Sequence, residues 1–160
     1  MRQRLYVSLS ATTATVDPGA RRPVPADRQD LADLMLAAYR GTIDDSGETI
    51  DDARAEIDRL FAGEYGEFLP DCSEIIERDG KLVSATLVTR YQGKPLLAFS
   101  FTAPHWQRCG LARAGMLRAM DRLCGQGETE LGLVVTSGNK PAEALYASLG
   151  FRAHPGQAYP

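Results

Sequence analysis

What this sequence has little of narrows it first. Its three cysteines, Cys72, Cys109 and Cys124, form no C-x-x-C pair, and only His105 and His154 could join them as soft ligands. That set argues against a zinc centre, so no metal is expected, and an odd cysteine count argues against a disulfide framework. Positive charge is not in excess: 18 Lys and Arg face 21 Asp and Glu. No basic field is therefore present to hold nucleic acid. No apolar run approaches the length of a membrane span, and the opening MRQRLYVSLSATT has no apolar signal core. The expected setting is cytoplasmic, with reduced thiols and no membrane partner.

What remains is an ordinary globular composition, 44% apolar and 24% charged over 160 residues, with neither repeat nor linker. One domain, 1–160, is expected. The charge is unevenly spread. Asp44 to Asp79 holds thirteen acidic residues against Arg54, Arg59 and Arg78, which leaves the rest of the chain net positive. Such a stretch is either a solvated helix face or a wall that attracts a cationic ligand.

Periodicity supplies the elements. RLYVSLSATTATV alternates as a strand, and DPGARRPVP is a loop with room for a short one. Leu31, Leu34, Met35, Ala38 and Tyr39 recur at helical spacing behind Asp27 as N-cap, and Gly41 stops the helix. A second helix is expected from about 48 to 62, burying Ile50, Ala53, Ile57, Leu60 and Phe61. Asp79-Gly80 joins two strands as a tight hairpin, and QGKP turns the chain into an apolar strand over 96–102. A helix follows over 111–123, with Arg113, Arg118, Asp121 and Arg122 on its wet side. A strand at ELGLVV, a helix from Lys140 with Pro141 in its first turn, and a short strand after Gly150 complete the order. The fold class is α+β: a mixed, mostly antiparallel central sheet flanked by helices.

Two stretches carry chemistry. In APHWQRCGLARAG a helix begins directly after a central strand, so its free N–H groups and positive dipole end suit an anion. Gly110 permits close backbone approach, and Arg108 and Arg113 add charge. In SGNKPAEALYASLGF, Asn139 and Tyr146 are seven residues apart and share one helix face.

Together these stretches resemble the GNAT superfamily of acyl-CoA-dependent N-acyltransferases. Pro104, Trp106, Gln107, Arg108, Gly110, Leu111 and Ala112 match its pyrophosphate loop. Asn139, Ala142, Leu145, Tyr146, Gly150 and Phe151 match its later motif. The resemblance covers about 20–155, leaving 1–19 as an extra N-terminal strand and loop. It implies acetyl-CoA as cosubstrate and transfer of an acetyl or short acyl group to the primary amine of a small molecule or peptide. It implies that the backbone of Ser100, Phe101 and Thr102 pairs with the pantetheine arm. The loop Gln107, Arg108, Cys109, Gly110, Leu111, Ala112 and Arg113 would hold the pyrophosphate. Asn139 would touch the pantetheine, and Tyr146 would serve as general acid for the leaving thiolate. The loop between the first two helices would form the acceptor wall, placing Asp44, Asp45 and Glu48 opposite an incoming cationic amine. Dimers are common in the family, so a homodimer is one option.

Three departures stand out. Val134 occupies the position where some members carry a glutamate, and strand 96–102 has no carboxylate, so no general base is evident. Glu67, Glu74 and the Asp44/Asp45 pair are the candidates acting through water, and the alternative is an amine that arrives already deprotonated. The missing base also leaves an alternative: an acyl-CoA-binding sensor or interaction module of the same fold. The chain stops about where the family adds a last strand, and strand 4–16 is expected to fill that vacancy. Cys109 stands inside the phosphate loop, either as a tolerated small residue or as a thiol shielded by the cosubstrate.

Overall fold

A computed structural model describes residues 1–11 and 14–153. Strand β1 (Arg2–Ser8) is followed by β2 (Ala20–Arg21), α1 (Arg28–Tyr39) and α2 (Ile50–Phe61). Next come β3 (Glu67–Phe68), β4 (Glu74–Arg78), β5 (Lys81–Tyr91) and β6 (Lys94–Thr102). The chain continues through α3 (Leu111–Gly125), β7 (Glu130–Thr136), α4 (Lys140–Ser148) and β8 (Arg152–Ala153). The strands form one sheet in the order β2-β4-β5-β6-β7-β1-β8, with β3 beside β5. Only β6 and β7 pair in parallel; every other described pair is antiparallel.

Local chemistry explains the elements. Asp79 and Gly80 both take positive φ, as do Gln92 and Gly93, so β4-β5 and β5-β6 are two-residue hairpins of the kind that matches strand twist. Thr49 and Asp52 cap α2 reciprocally: the Thr49 side chain accepts from the Asp52 amide, and the Asp52 carboxylate from the Thr49 amide. One apolar cluster joins α1 and α2 to one sheet face through Leu31, Ile57, Leu60, Ile75 and Leu87, all without solvent exposure. Each such side chain contributes about 2 kcal/mol. The opposite face packs on α3 and α4 through Met116, Leu123, Leu131 and Leu133. Gly115 brings α3 close to the sheet, because a Cβ there would collide with the Thr86 hydroxyl.

The N-terminal strand pairs beside β7. Its residues Arg2 to Ser8 pair antiparallel with Thr136 to Glu130 along the whole of β7, and β8 adds to its outer side at Leu5 and Tyr6. The strand is shorter than expected. The described residues between 9 and 16 form none, and Thr12 and Thr13 lie outside the described residues, as does His154 onward.

Two expectations need correction. Asp27 does not cap α1 with its side chain. It is buried, and its carboxylate accepts from Arg21 Nη1 and Nη2 and from the Val24 amide, locking the single helical turn Pro25–Asp27 that precedes α1. Arg118 and Arg122 do not sit on a wet face. Both turn toward Glu74, buried on β4, at 3.7 and 3.3 Å, because a carboxylate removed from water requires countercharge.

Candidate active site

The site begins where the parallel pair stops pairing. β6 and β7 are matched only at Leu96 with Gly132 and Leu97 with Leu133. Beyond them β6 runs on to Thr102 and β7 to Thr136 without partners between the two. The cause is visible in the register with β5. Leu87 faces Phe99 and Val88 faces Leu97, so Ala98 is an extra residue, and this bulge bends β6 away from β7. The strands therefore open a V whose β6 edge, from Ala98 to Thr102, has no strand partner on the β7 side.

A cleft of about 1480 Å³ occupies the V and extends on both sides of it. At one end lies the start of α3. Arg108 and Gly110 take φ of 61° and 80°, turning the chain so that the first amides of the helix face outward. No side chain caps them, and the first bond of the helix is that of the Ala114 amide to Gly110 O. Gly110 is needed for its backbone conformation, since a Cβ there would meet nothing within 4 Å. Gln107 Nε2 bonds Thr102 O at 3.2 Å and ties this loop to the end of β6.

At the centre stands Tyr146, 8% exposed, its ring 5.7 Å from that of Phe151. Burial, reinforced by the nearby Asp44 carboxylate, pushes its phenol up to about 12, while a hydrogen-bonding interaction with Ser100 works in the other direction. The hydroxyl is thus protonated at neutral pH. Tyr39, the last residue of α1, lines the same cleft with its ring edge-on to Phe101 at 6.0 Å. Burial and Asp44 likewise raise its phenol.

At the far end the acidic loop meets the sheet. Asp44 Oδ1 accepts from the Thr136 hydroxyl at 2.9 Å and Oδ2 from Asn139 Nδ2 at 3.2 Å. The other acids of this wall turn to their own backbone. Asp45 accepts from the Gly41 and Gly47 amides, which hold its carboxyl below the usual range. Glu48 accepts from the Ser46 amide and is lowered by backbone bonds as well. Glu56 takes the Tyr65 hydroxyl and pairs with Arg59. Much of the acidic stretch is therefore capping, and Asp44 is the acid that reaches across to the β7–α4 junction.

The structure brings the expected residues to this one cleft: Ser100, Phe101, Thr102, Gln107, Arg108, Gly110, Leu111, Ala112, Arg113, Asn139 and Tyr146, with Asp44, Asp45 and Glu48 on the opposite wall. Cys109 is exposed outside the lining, its Sγ 3.5 Å from Gln107 O. Asn139 has a local task besides: its Oδ1 accepts from the Ala142 amide and caps α4. Glu74 is committed to Arg118 and Arg122, and neither it nor Glu67 lines the cleft. Sequence reasoning gave no site role to Tyr39, Thr136, Arg2 or the aromatic floor of Phe99 and Tyr65. Tyr39 sits at the end of α1 just ahead of the acidic loop, a position that could have marked it. Among the described residues no group of His, Cys, Asp and Glu could hold a metal, and no helix is long and apolar enough to cross a membrane.

A V between parallel strands, closed at one end by open helix amides, suits a long ligand with an anionic terminus. The family model described as acetyltransferase (GNAT) family matches residues 29–151, and the chain belongs to that family. Solved structures share the fold. A GCN5-related N-acetyltransferase from Sphaerobacter thermophilus superposes with TM-score 0.72 at 17% identity, covering 96% of this chain and 48% of its own. This chain thus spans about half the length of that relative. The ribosomal-protein-S18-alanine N-acetyltransferase of Escherichia coli gives 0.63 at 23% identity, covering 82% and 75%. A GNAT family acetyltransferase from Brucella melitensis, in complex with acetyl-CoA, gives 0.64 at 19%, covering 88% and 90%. No curated protein matches the sequence.

Proposed function

We propose that this protein transfers an acetyl group from acetyl-CoA to a primary amine, with both substrates held together in the cleft. The observation that carries the reading is the V itself: a free β6 edge, open α3 amides at one end, and a protonated Tyr146 between them and Asp44. These features fit acetyl-CoA. The unpaired edge Ala98–Thr102 would take the pantetheine amides as a further strand, and the amides of Arg108 to Arg113 would take the pyrophosphate.

The residues divide the work by position. Asp44, fixed by Thr136 and Asn139, anchors the amine close to Tyr146. The amine nitrogen bonds to the thioester carbonyl carbon, and the bulged backbone near Ala98 and Phe99 offers an N–H to the oxygen that gains charge. As the carbon–sulfur bond breaks, Tyr146 donates a hydrogen bond to the departing thiolate. A full proton transfer from a phenol at about 12 to an alkyl thiolate near 8.5 would be uphill by about 5 kcal/mol. Tyr146 therefore steadies the sulfur, and the surplus proton of the nitrogen passes to solvent.

The test is thiol release from acetyl-CoA across a panel of primary amines. Amine-dependent release supports the transferase. Acetyl-CoA binding without release on any amine would instead identify a binding module of the same fold.

A further inference from the structure

β1 does more than complete the sheet. Its first residues run beside the end of β7, and the Ser137 amide donates to Met1 O at 2.8 Å, so the backbone at Arg2 is fixed on both sides. Arg2 is the cross-strand partner of Thr136. Directly paired residues present side chains to the same face with Cβ atoms about 5 Å apart. Thr136 in turn holds Asp44. A cation and an anion thus flank one threonine on the lip of the acceptor cleft, which Arg2 and Asp44 both line.

The two charges do not satisfy each other. Both oxygens of Asp44 are taken by neutral donors, and among the described residues Arg2 has no carboxylate within 4.0 Å. The other cations of this wall are engaged: Arg40 donates to Glu48 O and approaches Asp45, and Arg59 pairs with Glu56. Arg2 is exposed and free to meet a ligand from solvent. Opposite charges held side by side and unpaired form a dipole that a zwitterion can complete.

We propose that Arg2 and Asp44 together read an acceptor carrying an anionic oxygen group, a carboxylate or phosphate, close to its primary amine. This rests on the acetyltransferase reading and narrows its substrate class from amines at large to small amino-acid-like zwitterions. A guanidinium presents paired donors that match such an oxyanion. The floor of Tyr39, Phe99 and Phe101 offers an apolar rest for the remainder of the molecule.

The experiment compares matched acceptors: phenylalanine with phenylalaninamide, and phosphoethanolamine with ethanolamine. Each is followed by acetyl-CoA turnover and by calorimetric titration with acetyl-CoA present. The wild type should favour one anion-bearing member by about tenfold or more in kcat/KM, and which pair shows it separates carboxylate from phosphate. Arg2→Gln should abolish that preference, and Arg2→Lys should restore part of it. No preference in the wild type, or one that survives Arg2→Gln, overturns the proposal. If no amine is turned over, the acetyltransferase reading fails, and the titrations still decide whether Arg2 selects the anion.

Discussion

In the proposed reaction the departing sulfur meets Tyr146, a phenol kept neutral by its surroundings. Because burial and Asp44 raise it to about 12, its ionisation lies well above the working range. The rate should therefore climb with pH as the acceptor amine loses its proton and show no fall from tyrosine ionisation below about pH 10. A pH profile of kcat with a downward limb near neutrality that Tyr146→Phe removes would refute that assignment. In the same proposal Asp44 holds the amine. Asp44→Asn keeps the shape of the side chain but removes its charge, so KM for a cationic amine should rise about tenfold or more while acetyl-CoA affinity stays unchanged. Initial-rate kinetics with each substrate varied separates the two.

At the scale of elements, the α4 N-terminus and the α3–β5 contact bear most directly on the site. Asn139 caps α4 with its oxygen and holds Asp44 with its nitrogen. Asn139→Ala should lower stability by about 1 kcal/mol through the lost cap and also raise KM for the amine, since the acidic loop loses one of its two tethers. Thermal melts and kinetics read the two effects separately. Gly115→Ala drives a methyl group into the Thr86 hydroxyl and should cost about 1–3 kcal/mol. The double variant with Thr86→Ala should recover part of that loss, because the obstacle is a side chain rather than backbone.

These elements also show what a sequence can disclose. The two turns between β4, β5 and β6, the span of α2 and the Pro141 start of α4 were legible because each depends on residues close in the chain. The 104–112 loop and Tyr146, which line one cleft, stood out in the sequence because their motifs are local as well. The acidic stretch was not: whether Asp45 and Glu48 face a ligand or their own amides depends on how the 41–49 loop folds, and only Asp44 crosses to a partner ninety-odd residues away. Arg118 and Arg122 misled for the same reason, since their partner Glu74 lies on a different element. Arg2 gained significance only from the pairing of β1 with β7.

For the whole molecule, the N-terminal segment spans the sheet, with β1 near one edge and β2 at the other. Ion pairs fasten its second half: Asp17 with Arg78, and Asp27 with Arg21, which also reaches Glu77. Arg78 and Arg21 hold the carboxyls of Asp17 and Asp27 below their ordinary values. The sign follows: folded forms that bind protons less readily than the unfolded chain are stabilised above the unfolded carboxyl range, and that stability is lost as pH falls through and below it. Acid should therefore loosen the protein below about pH 4. Asp27→Asn should cost about 1–3 kcal/mol at neutral pH and flatten part of the acid dependence, as denaturant titrations at pH 7 and pH 3 would show.

The proposed reaction joins acetyl-CoA to an amine beside Tyr146. Its most direct test is amine-dependent thiol release from acetyl-CoA by the wild type and by Tyr146→Phe, with acetyl-CoA affinity measured for both. Equal affinity is expected, with a loss of about tenfold to a hundredfold in kcat for the variant, the worth of one hydrogen bond to a charged group. Equal affinity with equal turnover, or binding with no amine-dependent release from either protein, would contradict it.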